Sequence, residues 1–442
     1  IKSLYETAEL GSGVQQEAEL AKIHSLIEGV RQQKRTVLTE AESKCLLSYC
    51  GIPVVETVVA SNRDEAVEAA KKIGFPIVLK VFSETITHKT DVGGVKLGLG
   101  SIDDVVKAFE EIKESVSRLV GPEHFAGVTV QKMVPRKGYE LILGSSTDPQ
   151  FGPVLLFGAG GQLVEVLKDS ALALPPLTKM LTRRLMEKTR IYEALKGVRG
   201  QKVVDIDALE NILINFSRMI VENPRIKECD INPLLASHDE IIALDARVIL
   251  HGEDVLDSEL PRPAIRPYPI NYISSIKLKN GTSVLLRPIR PEDEALIVKF
   301  HKKLSENTVR QRFFEFMSLD ERVAHERLIR ICFPDHDREW AIVAEVDGII
   351  VGVGRLSRVP GTRYARFTMI IVDEFHNLGL GSQLLKHLVE IAKQENIEMI
   401  DSRILTENIG MITICRRLGF TISPDKDPYI TRAQWKQPND RN

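Results

Sequence analysis

At 442 residues the chain has room for two to four domains of about 100–200 residues each, which excludes a peptide-sized module. Hydrophobic residues at 43% and charged residues at 27% are the proportions of a folded globular protein, not of collagen, mucin or a disordered chain. The 59 Lys and Arg are offset by 61 Asp and Glu, so no overall positive field exists to hold a nucleic-acid backbone.

No stretch approaches about 18 uninterrupted apolar residues, and the N-terminus lacks the basic-then-apolar layout of a signal peptide, so neither a membrane span nor secretion is expected. The five cysteines, Cys45, Cys50, Cys229, Cys332 and Cys415, are odd in number and show no C-x-x-C spacing, against both a zinc ribbon and a disulfide framework. A reducing cytoplasm fits them. The chain opens on Ile1 and not on Met, as expected of a processed chain or of the later part of a longer one.

In chain order, residues 1–35 carry Leu20, Ile23, Leu26, Ile27 and Val30 at helical spacing, which predicts an N-terminal connector helix. Thr39-Glu40-Ala41-Glu42 is a capping-box pattern ahead of a helix that Gly51 ends, and 54–59 reads as a strand. Ser61 is the expected cap of a helix ending at Gly74, followed by a buried strand over 76–81. Strand runs follow closely from about 127 to 168, broken by the glycine loop Gly158-Ala159-Gly160-Gly161. Helical patterning returns at 178–196 and 205–221, then a strand pair at 231–235 and 240–244. Pro261, Pro263, Pro267 and Pro269 cannot sit inside a helix or central strand and mark a linker over 253–275.

Beyond it, 283–287 reads as a strand, Pro291 opens a helix, and 340–345 with 348–355 form a hairpin turning on Asp347-Gly348. A strand at 367–372, a helix at 379–393, a strand at 399–404 and a helix at 408–418 complete the pattern. Helices and strands alternate as in α/β and α+β multidomain proteins. The expected domains are 36–252 and 276–436, with 437–442 a tail.

Lys80 ends an apolar strand, from which an ammonium group can face phosphates; a lysine there is equally a solvated edge charge. The Gly158 to Gly161 run leaves backbone N–H groups open to an anion, or is only a turn. Asp230 and Asn232, two apart in an extended run, face the same way, and Asp245 on the next strand can join them as hard oxygen ligands for magnesium; the alternative is a turn stabilised by Asp and Asn.

Residues 36–252 together resemble the ATP-grasp subunit of ADP-forming acyl-CoA synthetases, relatives of succinyl-CoA synthetase. The resemblance rests on Leu38-Thr39-Glu40-Ala41-Glu42, Gly51-Ile52-Pro53, Pro76-Ile77-Val78-Leu79-Lys80, His88-Lys89-Thr90-Asp91-Val92-Gly93-Gly94-Val95, Gly152-Pro153 with the Gly158 loop, and Cys229-Asp230-Ile231-Asn232-Pro233-Leu234. It implies an ATP/ADP clamp with Lys80 on the phosphates, Gln131, Met133 and Val134 beside the adenine, Glu140 near the nucleotide, and Asn232 and Asp245 on Mg2+. It also implies that His88 relays a phosphoryl group, a task suited to imidazole, which is nucleophilic when neutral. The CoA-binding and phosphohistidine-bearing domains of that family are not in this sequence, and the expectation is that they precede Ile1 in a longer polypeptide or sit on a partner chain.

In the second half, His376-Asn377-Leu378-Gly379-Leu380-Gly381 joins a strand to a helix whose first-turn N–H groups and dipole can close on a pyrophosphate; a plain helix start is the alternative. With Glu407-Asn408 and Arg417-Leu418-Gly419-Phe420 downstream, residues 276–436 resemble the GNAT family of N-acetyltransferases. Arg287-Pro288-Ile289-Arg290-Pro291-Glu292-Asp293 and Asp337-Arg338-Glu339 resemble its branch fused to acyl-CoA synthetase modules, which includes protein lysine acetyltransferases. That implies acetyl-CoA held by backbone groups of Ile371 and Val372 and by Leu378, Gly379, Leu380, Gly381 and Ser382, with Asn408 near the thioester and a protein lysine as acceptor. One departure is chemical: the lysine acetyltransferases carry Glu where this chain has Arg366, and a guanidinium is no base at neutral pH. Asp373, Glu374 or a water is the expected substitute, and slow transfer to lysines the expected consequence.

The sequence thus implies an ATP-grasp fold followed by a GNAT acyltransferase fold. The expected function is bifunctional: an ATP-dependent, ADP-forming ligase half that joins a small acid to CoA, and an acetyl-CoA-dependent N-acetyltransferase half. The alternatives are a protein lysine acetyltransferase regulated by a non-catalytic ATP-grasp domain, and a non-catalytic sensor of both ligands.

Overall fold

The computed structural model describes residues 14–86, 89–135, 137–161, 169–197 and 202–437. They fall into two units, one ending at Ile265 and one beginning at Arg266. No described helix is long and apolar enough to cross a membrane.

In the first unit, helix Val14–Gln32 buries Ile23, Ile27 and Val30 along one face. Thr39 caps helix Glu40–Tyr49 through the expected box: Glu42 N–H donates to Thr39 Oγ1, and Thr39 N–H donates to the Glu42 carboxylate at 2.7 Å. Helix Arg63–Ile73 is capped by Asn62, not by Ser61. Asn62 Oδ1 accepts the Glu65 N–H at 3.0 Å, while Ser61 only donates its own N–H to the Glu65 carboxylate.

Strands β1 (Thr57–Ala60), β2 (Ile77–Phe82), β3 (Val95–Leu99) and β4 (Gly127–Lys132) form an antiparallel sheet in the order β1-β4-β2-β3. Ile77, Leu79 and Val81 of β2 point into a core shared with helix Ile102–Leu119, which by alternation turns Lys80 to the other face. A second antiparallel sheet contains β5 (Tyr139–Asp148), β6 (Gly152–Ala159), β7 (Ser170–Ala173), β8 (Ile226–Ala236), β9 (Ile241–Ala243) and β10 (Ala246–Leu250), ordered β10-β8-β5-β6-β7 with β9 on β8. Helix Ile206–Glu222 packs Leu213 and Phe216 into its core.

Several expectations change here. Gly158 and Ala159 belong to β6, so the glycine loop starts at Gly160, and 162–168 lie outside the described residues. The helix expected over 178–196 is two, Lys179–Glu187 and Ile191–Leu195, because the Asp169 carboxylate accepts the Arg190 and Ile191 N–H groups at 2.7 Å and starts a new helix there. β10 escaped the sequence reading.

The second unit is built on one eight-stranded sheet. Its strands are β11 (Ser274–Lys277), β12 (Ser283–Pro288), β13 (Glu339–Val346), β14 (Ile349–Arg358), β15 (Tyr364–Ile371), β16 (Met399–Leu405), β17 (Thr421–Pro424) and β18 (Ile430–Lys436), ordered β11-β12-β13-β14-β15-β16-β18-β17. Asp347 and Gly348 turn the β13–β14 hairpin with φ of 48° and 76°, as a tight two-residue turn requires. The segment expected as linker up to 275 is packed from Arg266 onward: Arg266 pairs with Glu395 at 3.0 Å and buried Tyr268 donates to Pro288 O at 2.7 Å. Helices Glu306–Phe313, Leu319–Val323 and His325–Cys332 were not foreseen.

β15 and β16 are the parallel pair, and they stay together only for Tyr364↔Met399 and Ala365↔Ile400. Two residues on, the Ser402 hydroxyl substitutes for the ladder, accepting Phe367 N–H at 2.7 Å and donating to Phe367 O at 2.9 Å. Beyond Phe367 the strands part, leaving one edge of β15 open.

Two histidines of this unit carry a pH dependence. Burial, then Arg322, Arg327 and Arg312, push His301 down to about 4, and burial and Arg266 push His336 down to about 4. Both values lie below the ordinary 6.5, so the stability these neutral rings contribute is complete above pH 6.5 and is lost as pH falls toward 4. Each is expected to cost on the order of 2–3 kcal/mol by then. Thermal melts followed by tryptophan fluorescence should show the loss, and His301→Leu should flatten it; a midpoint constant from pH 7 to 4.5 would refute the prediction.

Candidate functional site

In the first unit the two sheets meet around one carboxylate. Glu40, in the first turn of its helix and 2% exposed, accepts from Lys44 Nζ and Lys80 Nζ at 2.8 Å each and from Gln131 Nε2 at 2.7 Å on one oxygen, while Lys89 Nζ lies 2.8 Å from the other. Burial alone would raise its carboxyl, but Lys80, Lys44 and Lys89 outweigh that and hold it well below the ordinary carboxylate range. Burial pushes Lys44 down to about 8 against the pull of Glu40. Lys80 is raised on balance, since Glu40 and Asp245 overcome its desolvation.

Lys80 also donates to Leu244 O at 3.2 Å and lies 3.4 Å from Asp245 Oδ2, so it bridges β2 to the turn between β9 and β10. Asn232 on β8 accepts Gly161 N–H at 3.0 Å. Asp230, on the same side of β8, is exposed, yet the surrounding protein partly desolvates it, and this together with Asp245 raises its carboxyl. The donor set suits a hard cation: Mg2+ uses one or two carboxylates and completes its shell with phosphate and water oxygens, and it would relieve the repulsion between the two aspartates. No group of three or more His, Cys, Asp or Glu among the described residues forms a self-sufficient metal cage.

The glycines are needed for close approach. A Cβ on Gly158 would lie 2.3 Å from Asp169 O, and one on Gly160 2.4 Å from Leu141 O. Gly161, at φ 77°, would meet the Glu140 carboxylate, which brings Glu140 beside the loop. Met133 donates its N–H to Pro76 O at 3.0 Å, and Val134 packs on Val55, Leu235 and Ile242. Gln131, expected beside the base, is instead buried on Glu40, because alternation along β4 turns it to the same face as Thr129. His88 lies outside the described residues. Gly94 after it is packed tightly, since a Cβ there would sit 2.5 Å from Val81 Cγ1. Sequence reasoning missed Glu40, Lys44 and Lys89 as site residues, although Glu40 lay inside a motif it used.

In the second unit the open edge of β15 faces a cavity of about 360 Å3 lined by Met369, Ile371, His376, Asn377, Gly381 and Asn408, among others. Antiparallel alternation fixes which backbone groups point to that edge. Phe367 does, through Ser402, and therefore so do Met369 and Ile371. Val372, expected to contribute, donates its N–H to Val351 O at 3.0 Å and is engaged on the other side. His376 Nε2 bonds Ile371 O at 3.0 Å, so this histidine clamps the loop to the strand end.

Gly379, at φ 94°, turns the chain into helix Leu380–Gln394, and no side chain caps that helix, which leaves the first-turn N–H groups of Leu380, Gly381 and Ser382 open to an anion. The Leu378 carbonyl is taken by Lys279 N–H at 3.1 Å. Asn408 caps helix Ile409–Arg417, with Oδ1 on Met411 N–H at 3.0 Å. Asp373 and Glu374, the expected substitutes for a base, lie in the 3-10 turn Asp373–Phe375 that follows β15. Asp373 is occupied, accepting from Ser305 Oγ at 2.7 Å and Thr308 Oγ1 at 2.9 Å.

A strand-borne lysine of one antiparallel sheet, directed at the carboxylate and amide oxygens of another, is the arrangement of an ATP-grasp nucleotide clamp, and a strand split open beside an uncapped helix start is that of a GNAT acetyltransferase. The chain belongs to the ATP-grasp family, whose domain matches residues 29–250, and residues 283–421 match the acetyltransferase (GNAT) domain. The first part is similar to the beta subunit of acetate–CoA ligase [ADP-forming] I of Pyrococcus furiosus, 40% identical over 231 residues that cover 52% of this chain and 99% of that subunit. It is 42% identical over 215 residues to acetate–CoA ligase [ADP-forming] I of Archaeoglobus fulgidus, covering 49% of this chain but only 31% of that one. Among solved structures, acetyl-coenzyme A synthetase 1 of Candidatus Korarchaeum cryptofilum, in complex with coenzyme A and Ca-AMPCP, is 41% identical with a TM-score of 0.50, over 51% of this chain and 99% of that one.

Proposed function

We propose that the chain carries two acyl-CoA activities: the nucleotide half of an ATP-dependent, ADP-forming ligase that joins a small acid to CoA, and an N-acetyltransferase that uses acetyl-CoA. The observation that carries the first is the convergence of Lys80 and Lys89 on one buried carboxylate beside Asp245. Lys80 is fixed on a strand, and Lys89 immediately follows His88 in sequence. Phosphates entering there meet two ammonium groups, and His88 is joined by one peptide unit to a residue held at the phosphates. His88 then takes the phosphoryl group on a neutral ring nitrogen and returns it to the acyl-forming partner.

Asn232, Asp245 and Asp230 would hold Mg2+, which neutralises phosphate charge when bound. Met133, Val134, Glu140 and the glycines Gly158, Gly160 and Gly161 shape the nucleotide pocket, and Gln131 acts through Glu40. The ligase reaction also needs a CoA-binding, phosphohistidine-bearing module, as part of a longer chain or as a partner. The resemblance of the matched region to ligase beta subunits supports this. Five free cysteines, four of them buried, fit a reducing compartment, and we place the protein in the cytoplasm.

In the acetyltransferase half, Met369 and Ile371 pair with the pantetheine amides, Leu380, Gly381 and Ser382 bind the pyrophosphate, and Asn408 lies at the thioester. Calorimetric titration of Mg-ATP tests the nucleotide reading. The double variant Asn232→Ala with Asp245→Ala is expected to lower affinity at least about a hundred-fold, as two charge-assisted contacts and the cation are lost together; unchanged affinity sinks the metal assignment.

A further inference from the structure

A second chamber of about 520 Å3 adjoins the acetyl-CoA cavity, sharing Gln311, Arg312, Met369, Asn408 and Met411 with it. The pyrophosphate end of the site, His376, Asn377 and Gly381, lines only the first chamber. Acetyl-CoA laid along β15 therefore points its thioester at the junction, and the second chamber is where an acceptor must enter. This rests on the acetyltransferase reading above.

The charges of that chamber are unusual for a site receiving a lysine. Arg312, Arg366, Arg403 and Arg432 line it, against Asp401 and Asp425. Both carboxylates are engaged: Arg432 makes a two-pronged pair with Asp401 at 2.7 and 2.6 Å, and Arg403 lies 3.5 Å from Asp425. Arg366 is exposed on β15, and Arg312 stacks its guanidinium 4.9 Å from the Phe313 ring. Neither has a hydrogen bond or ion pair among the described residues. Burial, then Arg355 and Arg327, push Arg312 down to about 10 against the pull of Glu339, a carboxylate that is itself bonded to Arg355 at 2.6 Å.

We propose that the acceptor is a small amine that carries a carboxylate, an amino acid, with its carboxylate held by Arg366 and Arg312 and its amine at the Met369–Asn408 junction. A planar guanidinium offers paired donors matched to a carboxylate, and a chamber of this volume is the size that small ligands fill. A protein lysine brings a lone cation to two guanidinium groups that have no ion-pair partner of their own among the described residues and is repelled. The same two arginines explain how transfer proceeds without the glutamate of lysine acetyltransferases. Nearby cations disfavour the acceptor's ammonium form, so the amine arrives closer to its neutral state. The ammonium gives one proton to water; the neutral nitrogen forms a C–N bond at the thioester carbonyl, the C–S bond breaks, and the second nitrogen proton goes to the CoA thiolate. The products are an N-acetylamino acid and free CoA.

The test uses the full chain with acetyl-CoA, following CoA thiol release and product mass for the standard amino acids, their carboxamides and a lysine-containing peptide. At least one amino acid is expected to exceed its own carboxamide and the peptide about ten-fold in kcat/KM, the size of a charge-assisted contact. Arg366→Gln should raise KM for that acid about ten-fold, reduce its preference over the carboxamide by a similar factor and leave acetyl-CoA affinity unchanged. Equal use of acid and carboxamide, preference for the peptide, or an Arg366→Gln variant that keeps the acid preference overturns the proposal. Acetyl-CoA binding is measured separately by calorimetry. If acetyl-CoA fails to bind, the acetyltransferase reading itself falls; if it binds and the CoA-saturated chain binds acid no better than carboxamide, only the acceptor assignment falls.

Discussion

Replacing Glu40 with alanine is expected to destabilise the first unit by about 3–5 kcal/mol, the cost of removing one partner from a buried ionic cluster. The size follows from burial. Exposed ion pairs such as Lys71–Glu68 contribute little, but Glu40 and Lys44 are each 2% exposed and Lys80 11%. Without the carboxylate, Lys44, Lys80 and Lys89 confront one another with Asp245 as the nearest remaining anion. Urea unfolding separates the two units, because both tryptophans, Trp340 and Trp435, lie in the second. The far-UV dichroism transition of Glu40→Ala should move to lower urea while the tryptophan fluorescence transition stays in place. A dichroism transition that does not move would show that the cluster contributes nothing to folding.

Most of the fold was legible where one residue type has one physical use. The Thr39–Glu42 box, the Asp347-Gly348 hairpin and the Gly379 helix entry each need a particular side chain or a positive φ, and each stands where the sequence put it. The residues 306–332 were not legible, because their three short helices owe their stability to packing of Val309, Leu328 and Cys332 into a distant core and not to local periodicity. β10 was missed for a similar reason: Ala246, Val248 and Leu250 become a strand by pairing with β8, across a turn that looked like its end.

The sites divide in the same way. Lys80 was expected to end its strand and lies inside β2, two residues before its end, while Asp245 in the turn before β10 and the Gly379 helix entry are places between elements that sequence order can locate. Glu40 was read only as the first residue after a cap, since nothing local shows that three lysines from separate segments converge on it. Arg366 was read as a missing base; only the cavity shows that it lines one chamber with Arg312, where both carboxylates are already engaged.

The second large effect concerns His88. Its sequence neighbour Lys89 reaches the carboxylate that holds Lys80, so a phosphoryl group bound by Lys80, as proposed, would lie near Lys89. If the imidazole carries the phosphoryl group covalently, no other side chain can replace it, and its removal stops turnover while leaving nucleotide binding alone. A loss of a thousand-fold or more is on the order found when a covalent nucleophile is removed. The measurement is ADP release that depends on both the acid and CoA, with the chain combined with a CoA-binding, phosphohistidine-bearing synthetase module, for the wild type and His88→Ala at matched Mg-ATP affinity. Acid- and CoA-dependent ADP release by the wild type, abolished in His88→Ala, is the expected result; release that persists in His88→Ala contradicts the carrier role of His88, and none from the wild type contradicts a working ligase half.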